Sequence, residues 1–194
     1  MRISKMSGKL EGLRSINTNP LTNNFCKAMS KNKMFICSKC YSIRMLSTYR
    51  KTCVNAFEEN SKILSKPLKE IPVINDKYFR FSSHGELINM THLENYLKIA
   101  RANPNTIFTL WTKRKDLIRR YQGEIPENVV MIYSNPYVNK PLPVPDGFDK
   151  IFSVFTKEYA EKNNISINCG GKKCLECLIC YHKNSDKIIN ELIK

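Results

Sequence analysis

Eight cysteines fall in two groups with none between them: Cys26, Cys37, Cys40 and Cys53 in the first third, and Cys169, Cys174, Cys177 and Cys180 near the other end. The second group, C-x4-C-x2-C-x2-C, holds four thiols within twelve residues. Thiols this close cannot all form unstrained disulfides with one another, but they can wrap a metal centre. The opening residues, MRISKMSGKLEG, contain no apolar stretch of signal-peptide length, and no segment approaches a membrane span. A reducing cytoplasm is therefore the expected compartment and no membrane contact is expected. In that compartment clustered cysteines read as metal ligands or redox groups.

The 194 residues read as one domain with three parts. These are an N-terminal cysteine loop (1–40), a core (41–168), and a C-terminal cysteine loop with a closing helix (169–194). Within the core, Tyr78–Ser82, Thr106–Thr112, Val129–Asn135 and Ile151–Phe155 are rich in β-branched and aromatic residues and bounded by turn signals. Ile165–Ile167 is a weaker fifth run. Helical patterns alternate with these strands. Thr91–Glu94 has capping-box spacing and leads into a helix that stops before Pro104. Lys113–Gln122, Lys157–Asn163 and Ser185–Ile193 complete the set. The alternation predicts an α/β fold, a mostly parallel βα-repeat sheet that is either open or curled into a partial (β/α) barrel.

Ligands of such sheets gather beyond the carboxyl ends of the strands. Those ends are Ser82-Ser83-His84-Gly85-Glu86, Thr112-Lys113-Arg114, Ser134-Asn135 and Thr156-Lys157. Lys113 and Arg114 are the cations expected to hold an anionic substrate there, and Ser134 and Asn135 are candidates for nucleoside contacts. The proline-rich stretch from Pro136 to Asp149 reads as an ordered surface excursion near that face, a lid or a plain connector.

Residues Cys40–Leu64 contain no Pro or Gly and read as one helix. At 1.5 Å per residue a continuous helix would put Cys53 roughly 20 Å from Cys40, too far to share one metal centre. Cys53 is then a packing residue on the apolar stripe. Cys26, Cys37 and Cys40 remain, with Cys40 at a helix start whose free N–H groups suit thiolates. Three protein ligands leave a fourth position open for a substrate. The alternative is a zinc site completed by His84, His92 or Cys53. In the second group the successive spacings of three resemble the loop that wraps a cubane cluster in bacterial-type ferredoxins. Cys169 joins across Gly170-Gly171, which permit a tight reversal. The spacing favours [4Fe–4S] over zinc, which usually takes two separated C-x2-C knuckles. One of these cysteines could instead complete the first site.

Formal charge is +15. Two filled four-thiolate sites would lower it to about +11, still basic enough to favour nucleic acid or another anionic ligand. The excess is carried mainly by lysine, and no RRM, zinc-finger helix or basic-aromatic run marks a specific nucleic-acid module.

Together, Cys37-Ser-Lys-Cys40-Tyr41, Arg80–Leu87 (RFSSHGEL), Phe108–Arg114 (FTLWTKR) and Asn168-Cys169-Gly170-Gly171 with Cys174-Leu175-Glu176-Cys177 resemble the phage gene product 88 family. The resemblance covers most of the chain and implies a phage or mobile-element origin, hence a host cytoplasm. The layout is also similar to radical SAM enzymes. That resemblance implies a [4Fe–4S] cluster on Cys26, Cys37 and Cys40 whose open iron binds S-adenosylmethionine. Gly85-Glu86 would match the Gly-Gly-Glu motif that receives the methionyl amino group. Cys169, Cys174, Cys177 and Cys180 would hold an auxiliary cluster. Ten residues separate Cys26 from Cys37 where that family has three, and His84 stands where it has the first glycine.

Two functions compete. One is a radical-SAM-like iron–sulfur protein with one or two clusters, needing a reductant protein if it is an enzyme. The other is a non-enzymatic module, stabilised by iron–sulfur or zinc, that binds nucleic acid or a host protein. A dedicated electron carrier would not need so large a βα region.

Overall fold

The structure, a computed structural model, describes residues 1–193. In chain order its elements are β1 (Ile3–Lys5), β2 (Arg14–Ile16), α1 (Asn24–Lys31), α2 (Tyr41–Ser47), α3 (Cys53–Leu64), β3 (Tyr78–Phe81) and α4 (Met90–Ala102). There follow β4 (Ile107–Thr112), α5 (Lys115–Arg120), β5 (Val129–Val138), β6 (Lys150–Phe155), α6 (Lys157–Lys162), α7 (Cys174–Cys177) and β7 (Ile188–Leu192). Short 3-10 turns occupy Gly8–Leu10, Ile36–Lys39 and Ile179–Tyr181.

Side-chain alternation explains the sheet. In β3, Phe79 and Phe81 are fully buried on one face while Tyr78 and Arg80 point to the other. The buried face continues through Phe108, Leu110, Val129 and Met131, and packs against Leu64 of α3, Leu93, Tyr96 and Leu97 of α4, and Leu117 of α5. Phe81 stacks on Tyr96 at 4.1 Å and on Phe108 at 4.8 Å, which ties β3 to both its helix and its neighbour. The opposite face is polar and aromatic, with Arg80 beside Thr109 in register and Trp111 one step further along.

One seven-stranded sheet results, with strand order following chain order. β1 and β2 are antiparallel, and every later neighbour pair is parallel. The α/β fold and mostly parallel sheet expected from the sequence are present. Among the described residues β1 and β7, the two edges, do not pair. They are linked by side chains instead: Lys9, just after β1, makes a 2.9 Å ion pair with Glu191 of β7.

Four local expectations need correction. The segment Cys40–Leu64 is two helices, broken between Thr48 and Thr52 without any Pro or Gly to announce it. Ser185–Ile193 is not a helix, because Ile188–Leu192 pair in parallel with β6 as an edge strand. Ile165–Ile167 form no strand. β5 runs past Asn135 to Val138, through Pro136, with a register shift between Ser134 and Val138. The rest of the proline-rich stretch stands where a crossover helix would otherwise lie. Gly147 abuts Ile118 of α5 and Phe148 packs on the main core, so it is a connector on the outer layer.

Candidate metal centre and cleft

The loop leaving β2 is the first wall of the site. Asn17, Thr18 and Asn19 are buried, and Asn23 caps α1 by accepting from the N–H groups of Phe25 and Cys26. The same Asn23 amide donates to the Glu86 carbonyl at 3.0 Å. One side chain therefore fixes both the turn that carries Cys26 and the loop that follows β3. Cys37 lies in the Ile36–Lys39 turn, and Cys40 is the residue before α2. Phe35 bridges to Tyr137 and packs edge-on against its ring at 5.1 Å, which seats this cysteine loop on the extension of β5.

The loop after β3 is the second wall. Gly85 has φ +88°, and a Cβ there would collide with the Thr18 carbonyl and hydroxyl, so only glycine lets the two loops touch. Its neighbour Glu86 is 5% exposed. Its carboxylate accepts from the Leu87 and Lys113 N–H groups, each at 2.8 Å, and from the Thr112 hydroxyl. Burial pushes the carboxyl pKa up, while the Lys113 ammonium and these donors pull against that shift. His84 is occupied in the wall. Its Nδ1 meets the Ser42 hydroxyl at 2.8 Å, and its ring lies between Tyr41 and Phe57. Burial, with Arg80 nearby, lowers its pKa to about 4.

Cys26, Cys37 and Cys40 come together here. Burial is the main cause that raises the Cys26 thiol, with Glu86, Cys40 and Cys37 adding to it and Lys113 opposing. Cys37 is raised by burial too, again against Lys113. Lys113 reaches the Ser134 hydroxyl at 2.8 Å. Gly85, Glu86, Lys113, Ser134 and Asn135 all line the same cleft as the three thiols. Asn135 spends its amide on the Lys140 carbonyl, the Ser153 hydroxyl and the Tyr137 N–H, holding the β5 extension. Arg114 is turned away: it pairs with Asp116 at 2.7 Å, donates to the Leu87 and Ile88 carbonyls, and lies over the Phe25 ring. His92 is buried under α4, and its Nδ1 accepts from the Ile88 N–H. Cys53 opens α3 and packs with Met45, Leu46 and Phe57.

The second cysteine group gathers at the gap between the sheet edges. Cys169 accepts a 2.9 Å hydrogen bond from Lys9, the lysine that also pairs with Glu191. Burial alone would lower the Lys9 pKa, but Cys169 and Glu191 outweigh it and the net shift is upward. Burial raises Cys174, opposed by Arg80 and Lys9 and reinforced by Cys169 and Cys177. Cys180 is pushed up to about 12 by burial, with Arg80 opposing and the other three cysteines adding. The loop is clamped to the β1–β2 hairpin by a 2.6 Å ion pair from Lys173 to Glu11 and by Leu175 against Gly12.

Both groups face one cleft of about 470 Å³, lined by Cys26, Cys37 and Cys40 on one side and Cys169, Cys174 and Cys180 on the other. Cys177 lies behind, with its own group. Arg80 lies 4.1 Å above the Trp111 ring within this cleft, and Trp111 packs against Phe152. Among the described residues the Arg80 Nε and Trp111 Nε1 are buried without a hydrogen-bond partner. Sequence reasoning passed over Lys9, Arg80 and Trp111. The period-two alternation of YFRF and TIFTLWT carried the signal for the last two, since it sets them opposite the phenylalanine face. Among the described residues no three Cys, His, Asp or Glu groups converge to the spacing of a single bound ion. Among the described residues no helix is long and apolar enough to cross a membrane.

A family model described as Gene product 88 matches residues 5–187. No curated protein and no solved structure matches the chain.

Proposed function

The chain belongs to the gene product 88 family, and from that premise we propose an iron–sulfur protein of phage or mobile-element origin with the layout of a radical SAM partial barrel, working in the host cytoplasm. The observation that carries this is the meeting of Cys26, Cys37 and Cys40 with buried Glu86 at the carboxyl ends of successive parallel strands. Six parallel strands in chain order, with the Lys9–Glu191 pair across the gap, support a curled, unclosed sheet.

The donor set fits a cluster. Thiolates on one zinc ion sit about 2.3 Å from the metal and so crowd within roughly 4 Å of one another. A cubane spreads its ligands over separate corners. The thiols that line this cleft, with Cys177 behind them, are the donor type that a cluster takes, and the C-x2-C-x2-C spacing of the second group is the one that favours it. The raised pKa values of Cys26, Cys37, Cys174 and Cys180 would fall on ligation, because a bound metal deprotonates its thiols. Lys113 beside the first group, and Arg80 and Lys9 beside the second, supply the positive charge that an anionic cluster needs.

Cys26, Cys37 and Cys40 would hold a cluster that, when reduced, would supply the electron for cleaving S-adenosylmethionine. The chain's own residues would do the positioning. A carboxylate has about four lone-pair sites; Glu86 uses three on its own loop and strand end and keeps one for a ligand ammonium group. Lys113 and Ser134, already paired, are placed for a carboxylate or a sugar hydroxyl. Arg114 and Asn135 position loops instead. The four cysteines of the second group complete a closed site that staples the C-terminal loop to the N-terminal hairpin.

The test is anaerobic purification and reconstitution, followed by incubation with S-adenosylmethionine and dithionite. Formation of 5′-deoxyadenosine that is lost in Cys37→Ala supports the enzyme. Iron bound without any S-adenosylmethionine binding or cleavage leaves an iron–sulfur structural module and overturns the enzyme.

A further inference from the structure

Between Gly12 and Phe57 the chain contains no acidic residue, yet it carries Arg14, Lys27, Lys31, Lys33, Lys39, Arg44, Arg50 and Lys51. All except Arg14, which pairs with Asp76, are exposed, and among the described residues those seven make no ion pair. Lys27 and Lys31 stand one turn apart on the outer side of α1, and Lys33 follows at its end. The Ile36–Lys39 turn packs against α1 and continues through Cys40 into α2. Lys27, Lys31, Lys33 and Lys39 thus lie on or between two elements that pack together, Arg44 follows on α2, and Arg50 and Lys51 stand in the turn after it, along the stretch of chain that forms one wall of the cleft.

Aromatic rings are set among these charges. Tyr41 is 53% exposed and Tyr49 59%, and their hydroxyls meet at 2.8 Å. Arg44 lies 6.0 Å from the Tyr41 ring, and Arg44 and Arg50 both bear on the Tyr49 phenol. Tyr41 also lines the cleft. Phosphates match unpaired exposed cations, and unstacked bases match exposed tyrosine faces. A duplex hides its bases from such rings, whereas a single strand presents them.

We propose that the wall formed by α1, the Ile36–Lys39 turn and α2 binds a single strand of nucleic acid, with its phosphates on these lysines and arginines and bases stacked on Tyr41 and Tyr49. The strand would run along the mouth of the cleft. This reading is independent of whether the cleft cleaves S-adenosylmethionine.

The test uses the full chain purified with its metal and a fluorescein-labelled (dT)20, read by anisotropy across a salt series. Each neutralised phosphate contributes a slope of about −0.7 in log K against log salt, so full engagement of the seven cations gives about −5. Replacing Lys27, Lys31 and Lys33 by Gln should weaken binding at least tenfold at low salt and reduce the slope by about 2. Lys66, Lys98 and Lys162, exposed elsewhere, changed together to Gln should leave the slope unaltered. Tyr41→Phe with Tyr49→Phe should retain affinity, and the paired Ala variants should lose it several-fold. Equal binding of a 20-base-pair duplex, equal loss in the control lysine variant, or indifference to the Ala variants would overturn the assignment. So would the absence of binding at 50 mM salt.

Discussion

Gly85 and Glu86 show how much of the site rests on single residues. At φ +88° and against the Thr18 carbonyl, Gly85 has no room for a side chain. Gly85→Ala should therefore cost about 1–3 kcal/mol in unfolding free energy, read from urea midpoints. Glu86→Gln keeps the shape but turns an amide NH2 toward groups that donate to the carboxylate. A buried donor left without a partner costs about 1–3 kcal/mol, and the variant should also lose affinity for S-adenosylmethionine in equilibrium dialysis. The histidines set a pH dependence. Burial lowers His92 to about 3, and burial with Arg80 lowers His84 to about 4, from an ordinary 6.5. The unfolded chain then binds more protons than the folded one below 6.5. Stability is complete above that pH and falls as pH drops toward 4 and then 3, by at most about 1.4 kcal/mol per pH unit for each histidine. Urea midpoints measured from pH 7 to pH 5 should show this decline, and His92→Gln should remove one histidine's share of it. A flat profile would contradict the buried, neutral placement of both rings.

Among the elements, β7 and the cysteine loop before it carry the most consequence. Ser185–Ile193 looks helical in sequence because charged and apolar residues mix without strict alternation. Pairing with β6 overrides that local preference. β1 and β2 are three residues each, too short for a periodic signal; they pair with each other as a hairpin, and β2 is held in the sheet by β3, distant in the chain. The break between α2 and α3 has no Pro or Gly, so only tertiary packing of Met45, Leu46 and Phe57 reveals it. It removes the continuous helix from the argument about Cys53. The residue still packs apart from the three thiols, in an apolar cluster. By contrast β3, β4, β5, β6 and α4 were legible, since each is long or strongly patterned. Cys26, Cys37 and Cys40 line one cleft, and the strand-end position of Glu86 was legible as well. The role of Arg114 was not, because a sequence gives no direction to a side chain beyond a strand end. If the second cysteine group staples the sheet edges, replacing Cys174 and Cys177 by Ser should speed amide exchange in β1 and β7. Amides of β4, in the middle of the sheet, should remain protected. Uniform loss of protection would instead mean that the loop is needed for the whole fold.

For the whole molecule, charge and thiols divide the surface between them. The N-terminal half of the wall is free of acid from Gly12 to Phe57, while both cysteine groups face inward onto one cleft floored by Arg80 and Trp111. Such a layout sets three thiols of the first group and three of the second on the lining of one cleft within one seven-stranded sheet. Nucleic acid on the outer wall would lie close to chemistry in the cleft, which links the two proposals without making either depend on the other. The measurement that bears most directly on the central claim is the iron and acid-labile sulfide content of anaerobically purified protein, with its EPR spectrum before and after S-adenosylmethionine. Two clusters predict about eight irons and eight sulfides per chain, and a reduced signal that changes when S-adenosylmethionine is added. Two zinc ions per chain and no sulfide would contradict the account.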